Sequence, residues 1–594
     1  MTVNEKIAKI RQRMAENQIA ACVIPGADPH LSEYFSHHWG TVTYISGFTG
    51  EAGTVAIATD MSGLWTDGRY YTQADIELSG SEVQLFRASE PETPTIPKYL
   101  SQHLPEGSVV GLNGRLFSAA AVKAMQEEYG KKNITVNTHV DYANEIWTER
   151  PAENLTQVYT LDVCYAGKST ADKLAEVRAK VKEEGADSLI VSRLDNVAWL
   201  LNIRADDVLN NPVVIAYAFV SQDSATLYTE ESRVPASVVE DLRANGVELK
   251  PYEDIFSDLA SLSQAQTVLC DEKEANFNLY EAAAGNKNLT VINKTNPIPL
   301  MKAMKNETET ANTFKAYLYD GCAEAEFYSW FTEEWEKGTQ FNEWELAEKL
   351  HSFRAQQPGF KGDSFTTIMG YKENAAMMHY APTAAKSKKL EKEGLLLNDS
   401  GGQYLCGTTD TTRTIAVGPL TDEERRDFTL VVRSVIDLSC ARWLEGTTGR
   451  DLDILARNNL WQLGINYRCG TGHGVGYLLN VHEGPQGLKS TVPLKEGMVL
   501  TIEPGVYTEG SHGVRTENTA VIRKGEKTEY GQFYYFEIFT VVPIDTRCLD
   551  LSLLEDRHIQ WINDYHKHVY ETVAPHVSPR AKAWLENACK AISR

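Results

Sequence analysis

A run of 23 residues from Lys6, KIAKIRQRMAENQIAACVIPGAD, aligns without a gap to KLAEVRAKVKEEGADSLIVSRLD from Lys173. Lys6 falls on Lys173, Arg11 on Arg178 and Asp28 on Asp195. Farther along, DMSGLWTD from Asp60 resembles DSATLYTE from Asp223. A repeated pattern constrains the fold strongly, because both copies must solve the same burial problem in the same way. Each copy reads as an amphipathic helix, a short apolar strand, then further strands ending in turn residues. The expectation is two α/β domains, over residues 1–153 and 154–300, with the boundary near Thr148-Glu-Arg-Pro151. Asp67-Gly68-Arg69 in the first copy reads as a hairpin turn. A chain of 594 residues exceeds one hydrophobic core and implies about three or four domains. A third unit, 301–594, therefore follows.

That unit opens near Pro297-Ile-Pro299 and has a different pattern. Apolar residues at helical spacing run from Glu307 to Lys337, and Trp330 and Trp335 on that stripe read as core. Glu423 to Leu444 and Asp451 to Leu463 repeat the helical pattern, with hairpin-like strands between. The alternation predicts an α+β domain with helices packed outside a curved sheet. From about Ile559 the tail reads as two helices with aromatic anchors.

Five potential metal ligands lie in this last unit: Asp399 in LLLNDSGGQY, Asp410 in GTTDTTRT, His473 in GTGHGVG, Glu503 in TIEPGVY and Glu517 in VRTENTAVI. Four carboxylates and one imidazole suit one or two divalent cations of the Mn, Co, Fe or Zn kind better than a thiolate-type zinc site does. Four negative charges match two such ions, a standard device for making hydroxide at neutral pH. Asp399 and Asp410 are eleven residues apart, roughly 36 Å if extended, so Gly401, Gly402 and Gly407 must let the chain turn back. Gly472 and Gly474 flank His473, where a missing side chain admits close approach to a ligand. Glu503 ends the apolar run MVLTIE, and Pro504-Gly505 stops that strand. Glu517 precedes another, TAVI. Each piece alone has a plainer reading: Asp399-Ser-Gly-Gly as a turn, Asp410 as a cap, Glu503-Pro-Gly as a loop. Their conjunction in this order favours the metal site.

These segments resemble the metal-binding signature of the pita-bread metallopeptidases, and within them the long, three-domain Xaa-Pro aminopeptidases. SEYFSHHWGTVTYISGFTGEAGT and LWTDGRYYTQA are similar to the first domain of that subfamily. Asp195-Asn-Val-Ala-Trp-Leu-Leu-Asn and NNPVVIAYA are similar to the second, and HYAPT, GTTDTTRT, GTGHGVGYLLNVHEGP and EPGVY to the catalytic domain. The resemblance implies two creatinase-like N-terminal domains followed by a pita-bread domain with the metals in the cavity of its sheet. It implies hydrolysis, by a metal-activated hydroxide, of the bond between an N-terminal residue and a penultimate proline. In that scheme Asp399, Asp410, His473, Glu503 and Glu517 hold two ions, Mn2+ being expected, and Glu503 doubles as the base. His379 in MMHYAP and His482 in NVHEGP bind the peptide near the scissile bond. Arg515 pairs with a ligand carboxylate, and Arg413 is a weaker candidate for the same kind of support. Thr411 and Thr516 stand where relatives carry aliphatic residues, next to ligands in sequence.

Three alternatives use related chemistry or the same fold. A prolidase would cut only Xaa-Pro dipeptides, a creatinase-type enzyme would work without metal, and a ligand-free relative would be a non-catalytic binding protein. The full set of five ligands disfavours the last two. The glycines at 470, 472, 474 and 476 are not a dinucleotide fingerprint, which needs one where Val475 stands. The net charge of −23 argues against a nucleic-acid partner. No apolar run approaches the ~20 residues of a membrane span. The charged amphipathic start lacks a signal-peptide core, and nine scattered cysteines without a CxxC pair fit reduced thiols, so a cytoplasmic location is expected. Relatives imply a homodimer.

Overall fold

The structure, a computed structural model, describes all 594 residues. The chain divides into two compact units, 1–161 with 168–298, and 162–167 with 299–594.

In the first unit the repeat is visible strand by strand. The first copy contributes β1 (Ala21–Pro25), β2 (Thr54–Ala58), β3 (Ser62–Thr66), β4 (Gln84–Arg87), β5 (Val109–Leu112) and β6 (Thr135–Asn137). The second contributes β7 (Ser188–Val191), β8 (Tyr217–Ser221), β9 (Ala225–Tyr228), β10 (Val247–Lys250), β11 (Gln266–Leu269) and β12 (Leu289–Ile292). The strand orders are β4-β3-β2-β1-β5-β6 and β10-β9-β8-β7-β11-β12, one topology used twice. The aligned basic residues do the same work in both copies. Lys6, in the helix Val3–Glu16, lies 4.1 Å from the Tyr44 ring centroid and donates to the Tyr44 carbonyl. Lys173, in Thr170–Glu183, lies 4.4 Å from the Trp199 ring and donates to the Trp199 carbonyl. Arg11 Nε bonds the carbonyl of Ala58 at 2.8 Å, and Arg178 Nε that of Ser221 at 2.7 Å, each the last residue of its strand. The aligned aspartates diverge: Asp28 accepts from the His30 and Ser32 amides, whereas Asp195 pairs with Arg193.

Asp67-Gly68-Arg69 is not a hairpin turn. It leads from β3 into the helix Tyr71–Glu77, and β3 and β4 are parallel. Asp67 accepts from the amide of Arg69, a local turn bond that serves strand-to-helix and strand-to-strand turns alike.

The second unit is the α+β domain. Its longest helix, the 30 residues Glu307–Glu336, starts behind an Asn306 capping box. Trp330 and Trp335 pack with Phe327, Phe331 and Phe341 as core, and Trp335 Nε1 donates to the Val417 carbonyl. Its strands are β13 (Phe360–Asp363), β14 (Ile368–Tyr371), β15 (Leu395–Ser400), β16 (Gly402–Tyr404), β17 (Gly407–Thr408), β18 (Thr411–Ala416), β19 (Arg442–Leu444), β20 (His473–Gly474), β21 (Glu483–Gly487), β22 (Val499–Ile502), β23 (Gly505–Thr508), β24 (His512–Arg515), β25 (Asn518–Thr528) and β26 (Gly531–Ile538). They form the sheets β14-β15-β18, β13-β16-β17 and β19-β26-β25-β22-β20-β21, with β23-β24 as a separate pair. Helices Asp422–Ser439 and Gly449–Trp461 and the tail helices Asp556–Val573 and Pro579–Ala588 bury apolar faces in the shared cores. The pattern read as one helix to Leu444 stops at Ser439, and Arg442–Leu444 is instead an edge strand paired with β26. Within LLNVHEG the strand begins only at Glu483, and Leu478 takes a positive φ of 45°. No helix is long and apolar enough to cross a membrane.

Candidate metal centre

Each of the five residues sits in a strand or at its end. Asp399 lies in β15 between Ile368 of β14 and Thr412 of β18. Asp410 comes just before β18, His473 begins β20, Glu503 follows β22, and Glu517 separates β24 from β25. The turn between Asp399 and Asp410 needs glycine: a Cβ on Gly401 would meet the Thr409 carbonyl oxygen at 1.9 Å. The glycines beside His473 serve a purpose other than ligand clearance. A Cβ on Gly472 would strike the Thr501 oxygen at 1.9 Å and one on Gly474 the Glu483 oxygen at 2.2 Å, so they admit the protein's own backbone. That packing seats His473 between β21 and β22.

The side chains converge. His473 Nε2 is 3.4 Å from Asp410 Oδ2 and 3.3 Å from Glu503 Oε1. Ligand atoms of Asp410, His473 and Glu517 all lie within 4.8 Å of one another. Thr412 Oγ1 donates to Glu517 Oε2 at 2.7 Å, and Thr501 Oγ1 to Glu503 Oε1 at 3.0 Å. Arg515 Nε donates to Asp399 Oδ2 at 3.1 Å, its Nη2 binds the same oxygen, and its Nε lies 4.0 Å from Glu503 Oε2. Asp399 Oδ1 and Glu517 Oε1 are buried with no hydrogen-bond partner. Buried carboxylate oxygens without donors are costly unless a cation meets them.

The electrostatics point the same way. Burial pushes the Asp399 carboxyl up to about 6; Arg515 draws it down, and Asp410 and Glu503 push it further up. Burial and the charges of Asp410, Glu503 and Asp399 raise Glu517 well above the carboxylate range. Burial alone would lower His473, but the Asp410 bond and the Glu503 charge outweigh it and carry the imidazole to about 9. Without a metal, protons would be needed to hold this cluster together. Divalent cations would serve in their place. The residues present fit two hard or borderline cations: oxygen donors predominate, two of them are unpartnered, and one imidazole joins them.

Family models cover nearly the whole chain. The Creatinase/Prolidase N-terminal domain matches residues 6–150 and, in a second form, 149–309; Metallopeptidase family M24 matches 319–524; the C-terminal region of peptidase M24 matches 532–592. Aminopeptidase P2 of Arabidopsis thaliana is 36% identical over 100% of this chain and 89% of its own length. The chain belongs to metallopeptidase family M24. A probable Xaa-Pro aminopeptidase P of Laccaria bicolor is 37% identical over 99% of this chain and 94% of its own. The crystal structure of a Caenorhabditis elegans X-prolyl aminopeptidase, described as a cytosolic enzyme with a di-nuclear active site, superposes with a TM-score of 0.94. It is 32% identical and covers 100% of both chains. The fold is thus two creatinase-N-like α/β domains followed by the pita-bread domain of the M24 family.

Around this M24 centre the other predicted residues divide. The His482 ring stands edge-on to His473, with centroids 4.3 Å apart. His379 follows Met378, whose carbonyl accepts from Arg515 Nη2 at 3.4 Å. Arg413 touches no ligand carboxylate among its hydrogen bonds. Its guanidinium braces main chain at Glu517, Val542 and Pro543 and binds Asn518 Oδ1 and the Tyr565 hydroxyl. Sequence reasoning missed Glu483, which is buried against Lys302 Nζ (3.0 Å) and Lys305 Nζ (2.5 Å) immediately after His482. Lysines 178 and 181 residues away give no local signal of that pairing.

Proposed function

We infer that the protein is a metal-dependent Xaa-Pro aminopeptidase, releasing the first residue of peptides whose second residue is proline. Full-length kinship with proteins named aminopeptidase P carries this reading, together with the unsatisfied acidic cluster in the M24 domain. A bond to proline is a tertiary amide with a fixed ring, which justifies a dedicated site. We assign two divalent cations to Asp399, Asp410, His473, Glu503 and Glu517, with Mn2+ as the metal because oxygen donors dominate. When bound, such cations supply Lewis acidity and acidify water at neutral pH. Glu503 would serve as the general base; its Oε1 is aimed by Thr501 and lies beside His473. Arg515 orients Asp399 by holding Oδ2 and leaving Oδ1 for the cation. His482 and His379 bind the peptide near the scissile bond, and Arg413 supports Glu517 through its main chain. We further assign the protein to the cytoplasm, in keeping with nine free cysteines, and expect a homodimer.

The test is a peptide panel. Metal-loaded protein should free Arg from Arg-Pro-Pro and cut Arg-Ala-Pro far more slowly; chelation should abolish hydrolysis and Mn2+ restore it. Comparable rates on both tripeptides would indicate a broad aminopeptidase, and cleavage confined to Arg-Pro a prolidase. His482→Ala should lower kcat by ~10²–10³ with metal content unchanged, the scale of one lost oxyanion-type donor. Parallel loss of metal would make His482 a ligand instead.

A further inference from the structure

Glu343 is the first residue of the helix Glu343–Arg354 and is 0% exposed. A buried carboxylate at such a position usually offsets the helix dipole or meets a cation. Glu343 does something more specific. Its Oε1 accepts from the Tyr371 amide (2.8 Å) and from Asn374 Nδ2 (2.9 Å). Its Oε2 accepts from Asn374 Nδ2 (3.0 Å), the Tyr380 hydroxyl (2.7 Å) and the Lys388 amide (2.6 Å). All these donors belong to one segment, 371–388, and that segment carries His379.

The bonds close a ring. From Glu343 they pass to Asn374, then from the Asn374 carbonyl to the Met377 amide (3.2 Å). They continue from the Met377 carbonyl to the Tyr380 amide (3.1 Å) and return from the Tyr380 hydroxyl to Glu343. His379 lies in the span that this ring ties down, two residues after Met377 and one before Tyr380. The ring is also tied to the metal centre. Arg515, which holds Asp399, donates to the carbonyl of Met378. Two residues before Arg515, a Cβ on Gly513 would meet the Ala375 oxygen at 1.8 Å, so β24 presses directly on the turn Lys372–Ala376.

We propose that Glu343 is a positioning residue for His379, fixing the substrate-handling loop against the metal centre through a single buried carboxylate. The inference rests on the assignment of His379 to the peptide. A carboxylate is required because both oxygens accept; an amide would face the Tyr380 or Tyr371 side of the ring with N–H groups.

The experiment is a double-mutant cycle on metal-loaded full-length protein with Arg-Pro-Pro. Glu343→Gln should lower kcat/KM by ~10–100-fold, as a displaced positioning loop does, with metal content unchanged. In a His379→Ala background the same change should cost less than about 2-fold, because nothing remains to position. Tyr380→Phe removes one bond of the ring and should lower kcat/KM by a few-fold in the wild-type background only; it carries the test if Glu343→Gln does not fold. Equal losses in both backgrounds overturn the inference while leaving the assignment of His379 intact. A fully active His379→Ala protein overturns both. Loss of metal in parallel with activity in Glu343→Gln also overturns the inference, since Glu343 would then act on the metal centre itself.

Discussion

Strand β15 meets a buried charge cluster on each face. On one face, Asn398 and Ser400 donate to Glu324, which with Asp320 binds Arg354 at 2.8 and 2.7 Å; the Tyr404 hydroxyl donates to Asp320. On the other, Asp399 meets Arg515 and the four remaining candidate ligands gather. The first cluster sets two carboxylates against one guanidinium, and burial raises Glu324 to about 7, so its charge is nearly balanced. The second sets four carboxylates against one guanidinium and one imidazole and leaves two carboxylate oxygens unpartnered, where the first leaves only a donor, Arg354 Nη1. Both clusters hold buried aspartate and glutamate, Asp320 and Glu324 in one and Asp410 and Glu517 in the other, so burial of charge by itself does not mark function. An unfinished charge balance is the better guide, because cations that the chain does not itself provide would relieve it.

The largest consequence is expected at the unfinished cluster. Asp410→Asn should cost a factor on the order of 10³ or more in hydrolysis, the several kcal/mol that a lost Lewis acid represents. It should nonetheless leave the chelated protein as stable as the chelated wild type or more so, because it relieves repulsion. Metal analysis and urea titration read the two effects, and a chelated variant clearly less stable than chelated wild type would break the contrast. At the balanced cluster the order reverses. Arg354→Met should destabilise the fold by about 3–5 kcal/mol, the cost of stranding a buried carboxylate. The fraction that folds should still bind metal.

Two histidines extend the comparison to pH. His473 is raised by the carboxylates it faces, whereas burial, with Arg413 nearby, lowers His566 to about 4, and its Nε2 accepts from the Ile544 amide. The folded-state value of His566 lies below the ordinary ~6.5, so below that pH the unfolded chain takes up the proton first. The stability concerned is fully present above pH ~6.5 and is lost as pH falls towards 4, up to about 3 kcal/mol. His566→Gln keeps an acceptor but does not titrate, and thermal melts between pH 7 and 4.5 should show a flatter acid limb. An unchanged limb would mean that other groups govern acid unfolding. The smallest effect is expected beside the ligands. The Thr411 and Thr516 hydroxyls are buried without partners, so Thr516→Val should stabilise by about 1 kcal/mol with metal content unchanged. A destabilised variant would show that the hydroxyl is satisfied by solvent of the metal centre.

Much of this molecule is legible in its sequence because the signals are local. The gapless match of Lys6 to Lys173 predicts two copies of one unit, and even the Lys–aromatic and Arg–carbonyl bonds recur. Strand ends at Asp399 and Glu503 follow from apolar runs stopped by glycine or proline, and Glu517 stands just before an apolar run. Local signals failed where two structures share them. An Asp-Gly turn can lead to a helix, as at Asp67, and a helical period can run on past Ser439 into an edge strand.

The sequence alone determined the repeat, most of the element types and the chemistry of the candidate ligands, since each depends on neighbours within a few residues. Only the tertiary structure decided what each buried charge faces. Asp320 and Asp399 are both buried aspartates paired with an arginine, Arg354 and Arg515, yet Asp399 also faces Asp410 and Glu503. Glu343 and Glu483 likewise read as unremarked glutamates until distant segments supply their donors. The reason is physical: a hydrophobic period is written along the chain, whereas an electrostatic environment is a sum over groups that are close only in space.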